Sequence, residues 1–127
     1  MADYEPFYAG GANTWTATVG ATAVVGGQLL TTGAADNTVI PATTIAQVVV
    51  GVAAHDAGIG MRVTVWPLRG VVHELVADAA IALGAVLGPP ATTAGRVLTF
   101  ATPTPQGFVG IALMAAAGAA SKLRVAC

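Results

Sequence analysis

The sequence VGVA at residues 50–53 returns almost unchanged as VGIA at residues 109–112. Each copy is followed, after a glycine-containing loop, by an alternating segment: RVTV at 62–65 and KLRV at 122–125. β-Branched residues favour strands, and alternation of apolar with polar residues is typical of a strand with one buried face. The repeated pair therefore predicts two copies of a buried strand that a loop joins to a returning strand.

A further pair of matching segments lies upstream. Residues 19–30 correspond to residues 76–87 at an offset of 57 positions, whereas the VGVA and VGIA segments are 59 positions apart. The chain therefore contains two pseudo-repeated halves, at about 19–65 and 76–125, with small differences in loop length. A duplicated β-unit of this kind is more typical of a structural module than of an enzyme.

Composition favours a single, mainly β domain. The 127 residues are enough for one domain with its own hydrophobic core. Apolar residues make up 55% of the chain, but 28 of them are alanine and 17 are valine, so large core side chains are few. Turn residues recur about every eight to twelve positions, which indicates a β-sandwich or a small β-barrel.

We expect a compact β-barrel or sandwich-like domain at 19–127, preceded by an extended N-terminal arm at 1–18. At most one or two short helical turns are expected. The best helix candidate is the segment 78–84, because Asp78 can cap a helix at its start and Gly84 can end it.

Three further segments predict strands. Residues 45–54 and 108–115 are mostly apolar, which favours strands that are buried on both faces. Residues 122–126 alternate between polar and apolar and predict an edge-like strand at the end of the chain.

The low charge of the chain points to assembly. Charged residues make up 9% of the sequence and the net charge is −1, against about 25% charged residues in an ordinary soluble domain. Little like-charge repulsion opposes association, so we predict a homo-oligomer or an assembly component. No basic patch exists to hold phosphates, which argues against nucleic-acid binding.

Neither a membrane span nor a disulfide is expected. No run reaches the roughly 18 apolar residues that a transmembrane helix needs, and the first residues lack the pattern of a signal peptide. The single cysteine, Cys127, cannot form an internal disulfide, and it is interpreted as an incidental thiol in a protein made in a reducing compartment.

The N-terminal segment is rich in aromatic residues. Four of the seven aromatic residues of the chain lie in its first 16 positions: Tyr4, Phe7, Tyr8 and Trp15, with Pro6 among them. Disordered tails are poor in aromatic residues, so an extended arm that docks on this domain or on a neighbour is favoured over a free tail. These five residues are the predicted partner-binding site, through strand addition and aromatic anchors.

The residues that carry chemistry are sparse. His55, Asp56 and His73 could be imagined as a dyad or a metal site, but the second half has Met114 and Ala115 where the first has His55 and Asp56. No metal-ligand spacing and no cysteine cluster occur. We therefore expect no catalytic residue, no metal and no cofactor, and the protein is predicted not to be an enzyme.

The repeated segments resemble the capsid cement, or decoration, proteins of tailed bacteriophages, and in particular the DUF2190 group. The resemblance covers residues 19–125. It rests on segments that are mostly glycine, alanine and valine, at 50–53, 57–58, 63–65, 70–71, 79–87, 95–97 and 109–112. A mild departure is Gly84-Ala85, where members of the group commonly have Gly-Asp.

The resemblance implies a structural virion protein similar to lambda-type head decoration proteins. It implies a homotrimer that binds the outer surface of the major capsid protein lattice and stabilises the head, with the arm adding a strand to that lattice. The protein would be made in the host cytoplasm and located on the capsid surface. No catalytic residue is carried over.

Two alternatives stay open. One is another self-assembling β-rich structural module, such as a tail, spike or shell component. The other is a small enzyme or ligand carrier, which the scarcity of reactive side chains disfavours.

Overall fold

The computed structural model describes residues 3–44, 48–90, 92–100 and 107–127. This part of the chain contains ten short β-strands and no helix, and so no helix that could cross a membrane. The strands are β1 (Trp15–Val19), β2 (Leu29–Thr32), β3 (Thr38–Pro41), β4 (Gly51–Ala53), β5 (Arg62–Trp66), β6 (Val72–Val76), β7 (Val86–Gly88), β8 (Leu98–Thr99), β9 (Gly110–Ala112) and β10 (Lys122–Ala126). The predicted mainly β fold is confirmed.

Strands β1 to β5, here called half one, form a closed barrel in the order β1-β3-β2-β4-β5. β1 closes the barrel because it pairs with β5 in antiparallel fashion and with β3 in parallel. Alternate residues point inward, so the small interior is filled mainly by valine and alanine side chains. The buried interior residues are Ala17, Val19, Val24, Leu30, Val39, Ala53, Val63 and Val65.

Strands β6 to β10, here called half two, form a sheet in the order β6-β10-β9-β7-β8. The parallel bridge between Ala77 and Val97 in half two is equivalent to the parallel pairing of β1 with β3 in half one. The strand registers also agree between the halves, because Leu29 opposite Val52 corresponds to Val86 opposite Ile111, and Ala53 opposite Val65 to Ala112 opposite Val125. The two halves are therefore two copies of one five-stranded unit.

The glycine of the repeated motif has the same steric role in both halves. A Cβ on Gly51 would lie 2.5 Å from the carbonyl oxygen of Trp66 on β5. A Cβ on Gly110 would overlap the equivalent carbonyl of Ala126 on β10. The motif repeats because a neighbouring strand passes too close to either position for any side chain.

The two halves meet at a turn of half two. The N–H of Leu29 donates to the carbonyl of Gly95 over 2.8 Å, and the N–H of Gly95 donates to the carbonyl of Ala42 over 2.8 Å. Leu29 and Val52 are fully buried and belong to a core that continues into half two. The halves therefore share this hydrophobic core, which lies beside the separate barrel interior of half one.

The helix predicted at 78–84 does not form. The Asp78 carboxylate accepts the N–H groups of Thr92 at 2.8 Å and Thr93 at 3.0 Å instead of capping its own segment. Ile81 then forms an antiparallel bridge with Ala116, as Val24 does with Ala57 in half one. The duplicated topology therefore determines the conformation of this segment, because long-range pairing outweighs a short helical tendency.

Two strand predictions also differ from the structure. β10 is an internal strand between β6 and β9, because the last segment pairs on both sides and not at an edge. The long apolar segments form the short strands β4 and β9, with flanking residues outside the ladder. Residues 45–47 of the first predicted strand lie outside the described residues.

Residues 15–18, which the sequence assigned to the arm, form most of β1. The division into an arm at 1–18 and a domain at 19–127 stays a prediction.

Candidate interaction surface

The segment before β1 runs across both halves. Asp3 forms an antiparallel bridge with His55 of half one, and Tyr8 forms one with Val72 of half two. The Tyr4 N–H donates to the Ala54 carbonyl over 2.6 Å. Tyr8 and Val72 exchange two backbone hydrogen bonds of 3.0 Å and 2.8 Å. Backbone pairing at both ends therefore docks this segment on the domain that follows it.

Tyr4 is the internal anchor of the segment. Its hydroxyl donates to Nδ1 of His73 over 2.6 Å and accepts the N–H of Glu74 over 3.2 Å. The Tyr4 ring stacks on the His73 ring with centroids 5.7 Å apart, and Trp66 Nε1 donates to the Tyr4 carbonyl over 3.3 Å. Burial raises the pKa of Tyr4 well above its usual value, so the hydroxyl stays protonated and can donate.

The hydrogen bonds of His73 define its tautomer. Nε2 lies 2.9 Å from the carbonyl oxygen of Pro67, which can only accept, so Nε2 carries the proton and Nδ1 accepts from Tyr4. His73 is fully buried. Burial lowers its pKa, and the hydrogen bond to Pro67 opposes that change only in part. The neutral imidazole is therefore a structural acceptor for the arm.

The other predicted site residues point outward to different extents. Phe7 and Tyr8 are 57% and 61% exposed, and Trp15 on β1 is 38% exposed. Pro6 is half-buried. Two backbone hydrogen bonds hold Tyr8, and its ring lies over Gly10, where a Cβ would be 3.2 Å from the ring carbon Cε2. Most of the ring is nevertheless exposed and available to a partner. The structure thus brings Tyr4, Pro6, Phe7 and Tyr8 together in one docked segment, but places Trp15 in the wall of the barrel.

Phe7 connects the arm to an apolar patch on half two. The Arg124 guanidinium lies over the Phe7 ring, with its central carbon 3.8 Å from the ring centroid. Leu113 is next to Arg124, because its N–H donates to the Arg124 carbonyl over 2.9 Å. Leu113 and its neighbour Met114 are 48% and 43% exposed. We call Phe7, Tyr8, Arg124, Leu113 and Met114 the arm surface.

Sequence reasoning missed the half-two members of the arm surface and several exposed apolar turn residues. Ile59, Met61 and Leu83 are each more than 60% exposed. All three lie next to glycines in turns, and a large apolar residue in a glycine-rich turn is the signal that could have identified them.

The polar residues considered for chemistry serve the backbone. The His55 ring contacts the Asp56 carbonyl through Nδ1 at 2.9 Å and accepts the Thr64 N–H at Nε2 over 3.2 Å. Asp56 accepts the Gly26 N–H over 2.9 Å. Among the residues that the structure describes, no three histidine, cysteine, aspartate or glutamate side chains are placed to hold a metal ion.

These features define a protein built from a duplicated five-stranded β-unit, closed into a barrel in half one and open as a sheet in half two, with an aromatic arm and partly exposed apolar side chains. This is the architecture of a structural binding module. Residues 9–127 match the family model described as phage cement protein. The chain belongs to this family and is a phage capsid structural protein. The predicted resemblance to phage capsid cement proteins is thereby confirmed, and the family is one of structural proteins and not of enzymes.

A solved structure shares the fold. It is described as the crystal structure of the head fiber gp8.5 N base in bacteriophage phi29. The TM-score is 0.60 and the sequence identity 21%, and the match covers 90% of this chain and 93% of that chain. At this identity the likeness shows the fold alone. No curated protein matches the sequence.

Proposed function

We propose that the protein decorates and stabilises the bacteriophage head. It binds the outer surface of the major capsid protein lattice as a homo-oligomer, for which a homotrimer is the simplest form. It is made in the host cytoplasm and is located on the capsid surface of the virion. Membership of the phage cement family supports this proposal, and the low charge of the chain fits a protein whose surface is buried in an assembly.

The observation that carries the proposal is the exposure of Phe7 and Tyr8 on a segment whose backbone is held in place. Both aromatic rings are more than half exposed. Keeping this apolar surface in contact with water is unfavourable in free energy, and the rings offer a large contact area to a partner. Since Tyr4 fixes the segment through His73, little conformational entropy is lost when the rings bind. Many copies on a lattice would sum small energies per contact.

The test is co-sedimentation of the purified protein with expanded capsids. We expect the double variant Phe7→Ala with Tyr8→Ala to lose at least about tenfold in apparent affinity, because such anchors contribute 1–2 kcal/mol or more each. The matched control is Val25→Ala with Ile59→Ala, which removes two exposed apolar side chains from turns of half one. Equal binding by both double variants and the wild type would contradict the proposal.

Deletion of residues 2–16 is another test of the arm, but it is less specific than these point variants. The deletion would remove part of β1 and the Tyr4 anchor, so it would disturb the barrel as well as the binding surface. The role of Trp15 is tested separately with Trp15→Ala, because its ring stands on a barrel strand.

A second candidate is a fibre or spike base, and the fold likeness to the phi29 head fiber base favours it. The two candidates differ in where the protein is found on the particle. A decoration protein occupies many equivalent lattice positions, whereas a spike or tail base occupies a few special ones. Labelling of capsids at saturating protein and counting of bound copies per particle distinguishes them.

A further inference from the structure

The duplication allows the outer face of one half to be compared with the same face of the other. In half one, Trp15 of β1 lies opposite Val65 of β5. The equivalent pair in half two is His73 of β6 opposite Val125 of β10. Alternate residues of these strands are buried. The residues between them point outward and fill no core, so a difference there between the halves indicates a difference in task.

The outer face of half one is mostly threonine. Thr16 of β1 lies opposite Thr64 of β5. Thr18 lies opposite Arg62 and also pairs with Thr38 of β3. Paired residues of neighbouring strands have their side chains on one face of the sheet. This face therefore carries a single charged residue at these five positions.

The equivalent positions of half two are charged. Glu74 of β6 lies opposite Arg124 of β10, where half one has two threonines. Val76 lies opposite Lys122, the equivalent of Arg62. Glu74, Lys122 and Arg124 are all exposed. The same scaffold thus presents a nearly neutral face in one half and a charged face in the other.

Arg96 adds a third positive charge beside this face. It precedes Val97, which forms the parallel bridge with Ala77, the residue after Val76. Arg96 and Val76 line the same cavity at the seam between the halves. Because Val76 lies opposite Lys122, this cavity lies next to the Lys122 end of the face. Three of the five basic residues of the chain therefore surround the outer face of β6 and β10.

The charged face continues into the arm surface. The Arg124 guanidinium stacks on the Phe7 ring, with its central carbon 3.8 Å from the ring centroid. The N–H groups of a guanidinium lie in its plane, so stacking its face on a ring leaves its edge to donate two parallel hydrogen bonds to a carboxylate. Leu113 adds exposed apolar surface beside Arg124. The combination fits a partner segment that carries both carboxylates and apolar side chains.

The spacing of the positive charges suits an extended partner. Lys122 and Arg124 are two residues apart on one strand, so their Cα atoms are about 7 Å apart, and acids at alternate positions of an extended segment have the same spacing. The acids of this surface are Glu74 and, in the exposed part of the arm, Glu5. Three positive charges against two give an excess that is opposite in sign to the net charge of −1 of the chain.

We propose that Arg96, Lys122 and Arg124, here called the basic face, bind an acidic extended segment of a partner protein, in which carboxylates alternate with apolar residues. The inference rests on the proposed function, in which that partner is the major capsid protein, and it names the chemistry that the surface recognises. β10 is an internal strand, so the contact is made by its outward side chains and is distinct from strand addition at a sheet edge.

Charge variants test the basic face in the co-sedimentation assay with expanded capsids. Lys122→Gln should weaken binding at least about threefold, and Lys122→Gln with Arg96→Gln at least about tenfold, because both remove charge and leave the contact of Arg124 with Phe7 intact. Arg62→Gln is the matched control, since Arg62 is the half-one equivalent of Lys122, and it should bind as the wild type does. Equal binding by the double variant and the wild type overturns the proposal.

The acid of the face gives a test of opposite sign. Glu74→Gln removes a carboxylate that repels an acidic partner, so binding should become tighter by at least about twofold. The change keeps the backbone N–H of residue 74, which donates to the Tyr4 hydroxyl. Raising the salt concentration from about 50 mM to about 500 mM should weaken binding by the wild type more than by Lys122→Gln. Weaker binding by Glu74→Gln, or binding that salt does not affect, overturns the proposal.

A second copy of the chain is the other candidate occupant. Sedimentation without capsids distinguishes it from a separate partner protein. We expect Lys122→Gln with Arg96→Gln to have the oligomeric state of the wild type. A lower oligomeric state in this variant would make the basic face an interface between copies and would overturn the proposal.

A probe without capsids separates this proposal from the proposed function. The probe is a capped peptide of alternating leucine and glutamate, titrated into isotope-labelled protein and followed by NMR, and the control peptide has glutamine in place of glutamate. The glutamate peptide alone should shift the amide signals of Phe7, Lys122 and Arg124. Shifts that are equal for the two peptides, or absent at these residues, overturn the proposal. Shifts at these residues without capsid binding by the wild type contradict the proposed function and leave the basic face established.

Discussion

The Tyr4 hydroxyl lies 2.6 Å from Nδ1 of His73 and joins the arm to β6. One partner of this hydrogen bond is the fully buried imidazole of His73, and the other is Tyr4, the first aromatic residue of the arm. The arm therefore has an inner anchor, Tyr4, and outer aromatic side chains, Phe7 and Tyr8, with different tasks.

The inner anchor predicts the effect of Tyr4→Phe. This change removes only the hydroxyl and leaves Nδ1 of buried His73 without its donor, so we expect the free energy of unfolding to fall by about 1–3 kcal/mol. Urea denaturation monitored by tryptophan fluorescence gives the value. Tyr8→Phe is the matched control, because the Tyr8 ring is largely exposed, and it should change the free energy by less than about 0.5 kcal/mol.

His73 predicts a pH dependence of stability. Its pKa in the folded protein lies below the usual 6.5 because burial disfavours the charged ring. Below pH 6.5 the unfolded chain therefore binds a proton that the folded protein does not, and the free energy of unfolding falls as the pH falls. The slope from this residue approaches at most about 1.4 kcal/mol per pH unit.

The measurement is the free energy of unfolding between pH 6.5 and pH 5, in the wild type and in His73→Gln. The variant lacks the titrating ring, so its slope over this window should be shallower whatever its absolute stability. Parallel slopes would assign the pH dependence to other groups.

The crowding at Gly51 and Gly110 predicts that an alanine at either position lowers the stability of the fold to a similar extent. Gly51→Ala and Gly110→Ala each place a methyl group against the carbonyl of a neighbouring strand, and such overpacking costs about 1–3 kcal/mol. Gly118→Ala is the control, since a Cβ there has no heavy atom within 4 Å. Thermal unfolding should show a lower Tm for the first two variants and no loss for the third.

The burial of Cys127 predicts that its thiol reacts slowly in the folded protein. Burial raises its pKa to about 12, and the nearby Arg69 charge offsets this only in part. The thiolate is the reactive form, so the folded protein at pH 8 should react with a disulfide reagent on the order of 100-fold more slowly than the protein in urea. Similar rates in both conditions would show that the thiol is accessible and unshifted in the fold.

The duplicated strands were predictable from the sequence because each repeat carries a local pattern. Alternation defined β5, and the VGVA and VGIA motifs located β4 and β9. Strand order was not predictable, since it depends on pairing between residues far apart in the chain. The internal place of β10 is an example: its alternation resembles that of an edge strand, but both of its sides are hydrogen-bonded.

The failure at residues 78–84 has a related cause. Asp78 has the chemistry of a helix cap, and the sequence does not tell which N–H groups its carboxylate will accept. In the fold those groups belong to Thr92 and Thr93, which a turn of half two brings to it. The equivalent segment of half one has no such acid, so the repeat itself was better guidance than the capping residue.

The arm was identified by its aromatic residues, but the sequence could not divide them by role. Tyr4 and Tyr8 have the same side chain, and only the position of His73 makes one of them internal. The contribution of Arg124 and Leu113 to the same surface depends on the register of β9 with β10, which no local pattern encodes.

The contact between Tyr4 and His73 spans 69 positions of sequence, which orders events during synthesis. The arm leaves the ribosome first, yet its partner strand is translated roughly 3–14 s later at ordinary elongation rates. Throughout that interval the Tyr4 side chain lacks its His73 partner and is open to chaperones or to misassociation. Completion of β6 ends the delay for Tyr4, so this part of the arm is made well before it can reach its place.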